Sequence, residues 1–74
     1  MSSIWEHIME NFLKEYRTAK KLTQKQVALS CDISERQYIR YETGAQEPSI
    51  RIALRIARAL DTTVEELFPI EENL

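Results

Sequence analysis

Residues 23–44 read TQKQVALSCDISERQYIRYETG, and the spacing inside this stretch points to two helices joined by a very short turn. Thr23 with Gln26 three places on is a capping box, opening a helix whose apolar residues are Val27, Ala28 and Cys31. That helix should stop at Asp32, a residue type that tolerates the left-handed conformation better than most. After only Asp32 and Ile33, Ser34 and Gln37 repeat the capping pattern; Tyr38 and Tyr41 form an apolar pair, and Gly44 supplies the terminating position. Two helices joined by so short a turn must cross steeply, at about 90–120°. The stretch is therefore predicted to be a helix-turn-helix, with helix 2 at about 24–31 and helix 3 at about 35–43.

Upstream, Trp5, Ile8, Met9, Phe12, Leu13, Tyr16 and Ala19 recur at spacings of three and four, one face of an amphipathic helix. Ser3 and Glu6 form a capping pair for its start, so helix 1 is expected at about 4–20. Downstream, Pro48 and Ser49 punctuate the chain before Ile50, Ala53, Leu54, Ala57 and Leu60 trace the apolar face of helix 4, about 50–60. Thr63 with Glu66 caps a last helix at about 64–68 carrying Val64, Leu67 and Phe68, which Pro69 ends. Strand signals are nearly absent and no repeat or linker interrupts the pattern, so residues 1–74 read as one all-α domain of five short helices.

Composition excludes several functions. A chain of 74 residues buries only about 60% of the surface its unfolded state exposes, which leaves no room for a deep catalytic cavity. One cysteine, Cys31, allows no internal disulfide, and with one histidine, His7, it cannot assemble a structural zinc site. The single glycine rules out a glycine-rich phosphate loop, and His7 has no nucleophile fixed beside it, so an enzyme is the class that fits least and no metal or cofactor is expected. The N-terminus lacks the features of a signal peptide and no apolar run approaches a membrane span, so a cytoplasmic protein with no membrane contact is expected.

A net charge of −2 argues at first sight against a nucleic-acid partner. Its distribution argues the other way. All ten Lys and Arg fall between Lys14 and Arg58, where only five acids occur, a local excess of five positive charges. The other seven acids lie outside that segment, giving a basic centre with acidic flanks, as a local polyanion contact requires.

Within helix 3, inward-pointing Tyr38 and Tyr41, with Ile33 behind them, send Glu35, Arg36 and Arg40 to other faces, and Arg36 and Arg40 share one stripe. A solvated helix face would look the same on an arbitrary helix. On the second helix of this motif, narrow enough for the roughly 12 Å major groove of DNA, the same charges suit base reading. The arginine fork matches guanine O6 and N7, and a glutamate accepts from a cytosine amino group.

The stretch from Leu13 to Phe68 resembles the lambda-repressor-like helix-turn-helix domains of the Xre/Cro family. The landmarks are LTQ at 22–24, IS at 33–34, YE and then Gly at 41–44, PS at 48–49, IARAL at 56–60 and EELF at 65–68. The resemblance implies a transcriptional regulator, a repressor, that reads double-stranded DNA with Glu35, Arg36 and Arg40. It places Gln24 on a phosphate with Thr23 nearby, Thr43 likewise at the far end of helix 3, and Gln37 close to the backbone or a base edge. Lys25, Ser34 and Arg51 complete the backbone-contacting set, with Lys20 and Lys21 as further phosphate cations. It also implies an ion pair between Arg17 of helix 1 and Glu42 of helix 3.

This chain departs from the pattern in places. Asp32 and Asp61 stand where glycines usually follow helices 2 and 4, and the loop after Gly44 is the uncharged-to-acidic AQE rather than basic. A homodimer on an inverted repeat is expected from the resemblance, with Ile52, Ile70, Leu74, Ile4 and Trp5 as candidate contacts. The alternative is a protein-interaction module, an antitoxin or anti-regulator, that uses the same fold to hold a protein partner.

Overall fold

The computed structural model describes residues 10–70, and five helices run through them: α1 (Leu13–Ala19), α2 (Gln24–Cys31), α3 (Glu35–Glu42), α4 (Ile50–Ala59) and α5 (Val64–Leu67). No strand occurs among the described residues. Four of the five starts are set by side-chain hydroxyls: Thr23, Ser34, Ser49 and Thr63 each accept a hydrogen bond from the backbone N–H three residues on. Each bond satisfies one of the donors that a helix start leaves unpaired, and each cap is worth about 1 kcal/mol.

Positive-φ residues follow four of the five helices, with Lys21 at φ 59° after α1. Asp32 adopts φ 60° and ψ 42°, Asp61 φ 58°, and Gly44 φ 83°. At Asp32 the turned backbone lets Ile33 N–H donate to the Ala28 carbonyl at 3.1 Å, closing α2 within one residue of its last turn. The two aspartates therefore do the work of glycines at a steric cost that an isolated left-handed residue can bear.

Helix α1 differs from the expectation of a start near residue 4. Glu10, Asn11 and Phe12 are not helical, and the first helical residue described is Leu13. Asn11 Oδ1 accepts from Leu13 N–H at 3.0 Å, while its amide donates to the Tyr41 carbonyl at 3.0 Å. Phe12 N–H donates to the Leu67 carbonyl at 2.9 Å. These bonds tie the entry of α1 to α3 and α5. The Ser3–Glu6 pair, His7 and the apolar residues before Glu10 lie outside the described residues, as does Leu74.

The core is formed by Leu13 of α1, Val27, Ala28 and Cys31 of α2, Tyr38 and Tyr41 of α3, Ile56, Ala57 and Leu60 at α4, and Leu67 of α5. Helix α2 packs against both α3 and α4, and α4 carries α5. On α4 the apolar face is rotated from the expected one. Ile50 and Leu54 are 77% and 57% exposed, whereas Ile56 is fully buried and Ile52 packs against the edge of the core. Ala53, Ile56, Ala57 and Leu60 follow a strict three-four spacing, and Leu54 sits about 100° to one side of Ala53. Ile52 is thus partly taken up by the core, while Ile70 is 83% exposed.

Candidate nucleic-acid interface

The geometry of α3 separates two kinds of side chain. Tyr38 and Tyr41 are buried, and Glu35, Arg36 and Arg40 are exposed on the outer side of the same helix. Burial of the tyrosines orients the helix, because rotating it would bring large apolar rings into water. The three charged side chains therefore project together from a short helix whose back is anchored on α2.

A network beneath α3 holds it on α1. Arg17 Nε donates to Glu42 Oε2 at 2.8 Å and its Nη2 donates to Oε1 at 3.1 Å, a bidentate pair whose side chains are only 12% and 6% exposed. Arg17 Nη1 donates to the Leu22 carbonyl at 2.8 Å, and the Tyr38 hydroxyl donates to Glu42 Oε2 at 2.8 Å. Burial would raise the Glu42 pKa, but hydrogen bonds from Arg17, Tyr38 and Gln24 outweigh it and hold the carboxyl below the ordinary carboxylate range. The bond to Glu42 raises Arg17, and burial followed by the same carboxylate raises the Tyr38 phenol. The carboxylate, the guanidinium and the neutral phenol are thus fixed in these states across physiological pH.

Gln24 is drawn into this network. Its Nε2 donates to Glu42 Oε1 at 3.1 Å, which uses one of its two amide hydrogens and leaves the other available to a second acceptor. The other residues assigned to the DNA backbone divide by how their polar atoms are used. Thr23 and Ser34 accept from Gln26 and Gln37 N–H at 3.0 Å each, and an accepting hydroxyl keeps its own proton to donate. Thr43 directs its proton to the Arg40 carbonyl at 3.3 Å. Gln37 is half-buried and donates to the Tyr41 hydroxyl at 2.6 Å, so its amide lies along the inner edge of α3 rather than among the exposed charges.

Lys25 and Arg51 are exposed in the first turns of α2 and α4, at helix ends whose unpaired N–H groups favour anions. Lys20 and Lys21 are exposed in the turn between α1 and α2, with Lys20 Nζ 3.9 Å from Asp61 Oδ2. That contact is long and solvated, so it leaves Lys20 free to exchange partners. Among the described residues no cluster of His, Cys, Asp and Glu has the geometry to hold a metal, and no helix is long and apolar enough to cross a membrane.

Three contacts at this site have no simple sequence signal. The Gln24–Glu42 bond and the Asn11 bond to Tyr41 join residues far apart in the chain. The third is Arg40 Nε donating to Gln46 Oε1 at 3.2 Å across the loop after α3.

Comparison with known proteins places this arrangement. A helix-turn-helix family profile matches residues 13–67. An uncharacterized HTH-type transcriptional regulator of Methanocaldococcus jannaschii is 34% identical over 65 residues, covering 88% of this chain and 98% of that protein. A second such regulator, from Bacillus subtilis, is 36% identical over 61 residues, 82% of this chain but only 53% of its own length. Among solved structures, the restriction-modification controller protein C.AhdI of Aeromonas hydrophila is 36% identical with a TM-score of 0.71, covering 76% of this chain and 85% of that one. The fold also recurs as a part of larger proteins: hydroxypropylphosphonic acid epoxidase from S. wedmorenis matches with a TM-score of 0.71 over 31% of its length, at 25% identity. With two short helices joined by a capped turn, an outward charged face on the second, and a match over most of its length, the chain belongs to the lambda-repressor-like helix-turn-helix family of DNA-binding transcriptional regulators.

Proposed function

We propose that the chain is a sequence-specific transcriptional repressor of the cytoplasm that inserts α3 into the major groove and acts as a homodimer on an inverted repeat. The observation that carries this reading is the outward face of α3, where Glu35, Arg36 and Arg40 are exposed opposite the buried Tyr38 and Tyr41. Arg36 and Arg40 read guanine, Glu35 accepts from a cytosine amino group, and Thr23, Gln24, Lys25, Ser34 and Arg51 contact the phosphate backbone, with Thr43 joining them by turning its hydroxyl proton from the Arg40 carbonyl to a phosphate oxygen. Gln37 acts from behind them, through Tyr41, as much as on the DNA itself. A single module covers about one half-site, and two copies on one duplex face require half-site centres about 34 Å apart.

Selection from a random duplex pool tests the reading, followed by affinity measurements across a salt series for the selected site. A palindrome with a steep salt slope is expected. The Arg40→Ala variant should then lose discrimination at one G·C pair in each half-site, by about 1–3 kcal/mol. A pool that stays random, with weak binding even at low salt, would favour the protein-interaction reading. The exposed Ile50 and Leu54 of α4 would then be the first surface to probe with a co-expressed partner.

A further inference from the structure

The loop after α3, residues 45–49, carries no cation, and one of its residues is bonded to Arg40 instead. Gly44, at φ 83°, turns the chain back over the end of α3, and Gln46 N–H donates to the Arg40 carbonyl at 3.2 Å. The Gln46 side chain then reaches the side chain of the same residue: its Oε1 accepts from Arg40 Nε at 3.2 Å. Backbone and side chain of Gln46 are thus both engaged by Arg40.

We infer that Gln46 is a positioning residue for base recognition, holding the Arg40 guanidinium by its Nε so that the terminal fork faces the major groove. The inference rests on the reading of Arg40 as a base-contacting residue. Its chemistry is simple. A guanidinium carries five N–H donors in one plane; engaging the Nε–H leaves Nη1 and Nη2, which match the O6 and N7 acceptors of guanine. Arginine has many rotamers, and fixing the plane before DNA arrives removes part of the ordering cost of binding. Arg40 and Gln46 are both exposed, so the bond between them adds little to folding and its effect falls on recognition.

The test compares full-length wild type, Gln46→Ala, Gln46→Glu, Arg40→Ala and the Arg40→Ala/Gln46→Ala double variant. Each is measured on the selected duplex, on the same duplex with the Arg40-dependent G·C pair replaced, and on random-sequence duplex, with thermal melts as a folding control. Gln46→Ala should reduce discrimination at that one pair by about two- to tenfold, the effect of losing one hydrogen bond, with melting temperature, random-duplex affinity and salt slope unchanged. Gln46→Glu should retain the discrimination, because a carboxylate also accepts from Nε, while lowering affinity for every duplex through added negative charge. The double variant should discriminate no worse than Arg40→Ala alone.

Full discrimination in Gln46→Ala, with Arg40→Ala relaxed, would overturn the positioning role while sparing the base-reading assignment. A uniform loss of affinity in Gln46→Ala with a shallower salt slope would also overturn it, making Gln46 a backbone contact. Unchanged discrimination at every pair in Arg40→Ala would sink the base-reading assignment and this inference with it.

Discussion

Glu42→Ala is expected to lower the unfolding free energy by about 3–5 kcal/mol, because it strands a nearly buried guanidinium rather than removing one surface contact. In the wild-type protein Glu42 accepts from Arg17, Tyr38 and Gln24, and its side chain is 6% exposed. Without the carboxylate, Arg17 keeps the Leu22 carbonyl as an acceptor, while the Tyr38 hydroxyl and one Gln24 hydrogen lose theirs. A domain of this size has a total stability of about 4–11 kcal/mol, so the variant should be marginal at 37 °C. Urea titration measures the loss directly. Adding Arg17→Met should recover only part of it, since the Tyr38 hydroxyl remains without its acceptor. A loss below about 1 kcal/mol would mean that the pair is solvated and does not hold α3 on α1.

The same carboxylate predicts a pH dependence. Its pKa in the folded chain lies below the ordinary value of 4.5, so the unfolded state binds its proton more readily. The stabilisation is therefore complete at neutral pH, begins to fall as the pH drops through about 4.5, and is lost once the folded-state carboxyl is itself protonated. Stability curves of wild type and Glu42→Ala should converge in that acid window and run parallel above about pH 6. Parallel curves down to pH 3 would remove Glu42 as the source.

The second large effect separates two faces of α4. Ile56→Ala should cost about 2–5 kcal/mol, through lost burial and the cavity left behind. Leu54→Ala should stay within about 0.5 kcal/mol, because more than half of that side chain is already in water. The two positions lie about 200° apart around the helix, so the comparison reports its rotation directly. Apolar periodicity read along the chain would choose Leu54 for the core. Equal costs at both positions would place the helix in a different orientation from the one described here.

Much of this protein is legible because the rules that build it are local. A hydroxyl three residues before its capped N–H, a left-handed stop at Asp32, and two tyrosines three apart on α3 are relations within a single turn, readable as spacing. They establish the paired helices, and the buried tyrosines in turn establish which charges face outward. These elements, their order and the concentration of cations between Lys14 and Arg58 follow from spacing along the chain alone.

Where α1 begins, which side of α4 is buried, and what Gln24, Gln37 and Arg40 do with their donors depend instead on contacts between distant parts of the chain. Asn11, just ahead of α1, bonds to Tyr41 30 residues away, and Gln24 meets Glu42 across 18. Ile56 rather than Leu54 is buried because α2 and α5 supply the surfaces that α4 must cover. Such choices depend on which apolar surface and which polar atoms another element brings into reach, and periodicity within one helix carries no record of its neighbour.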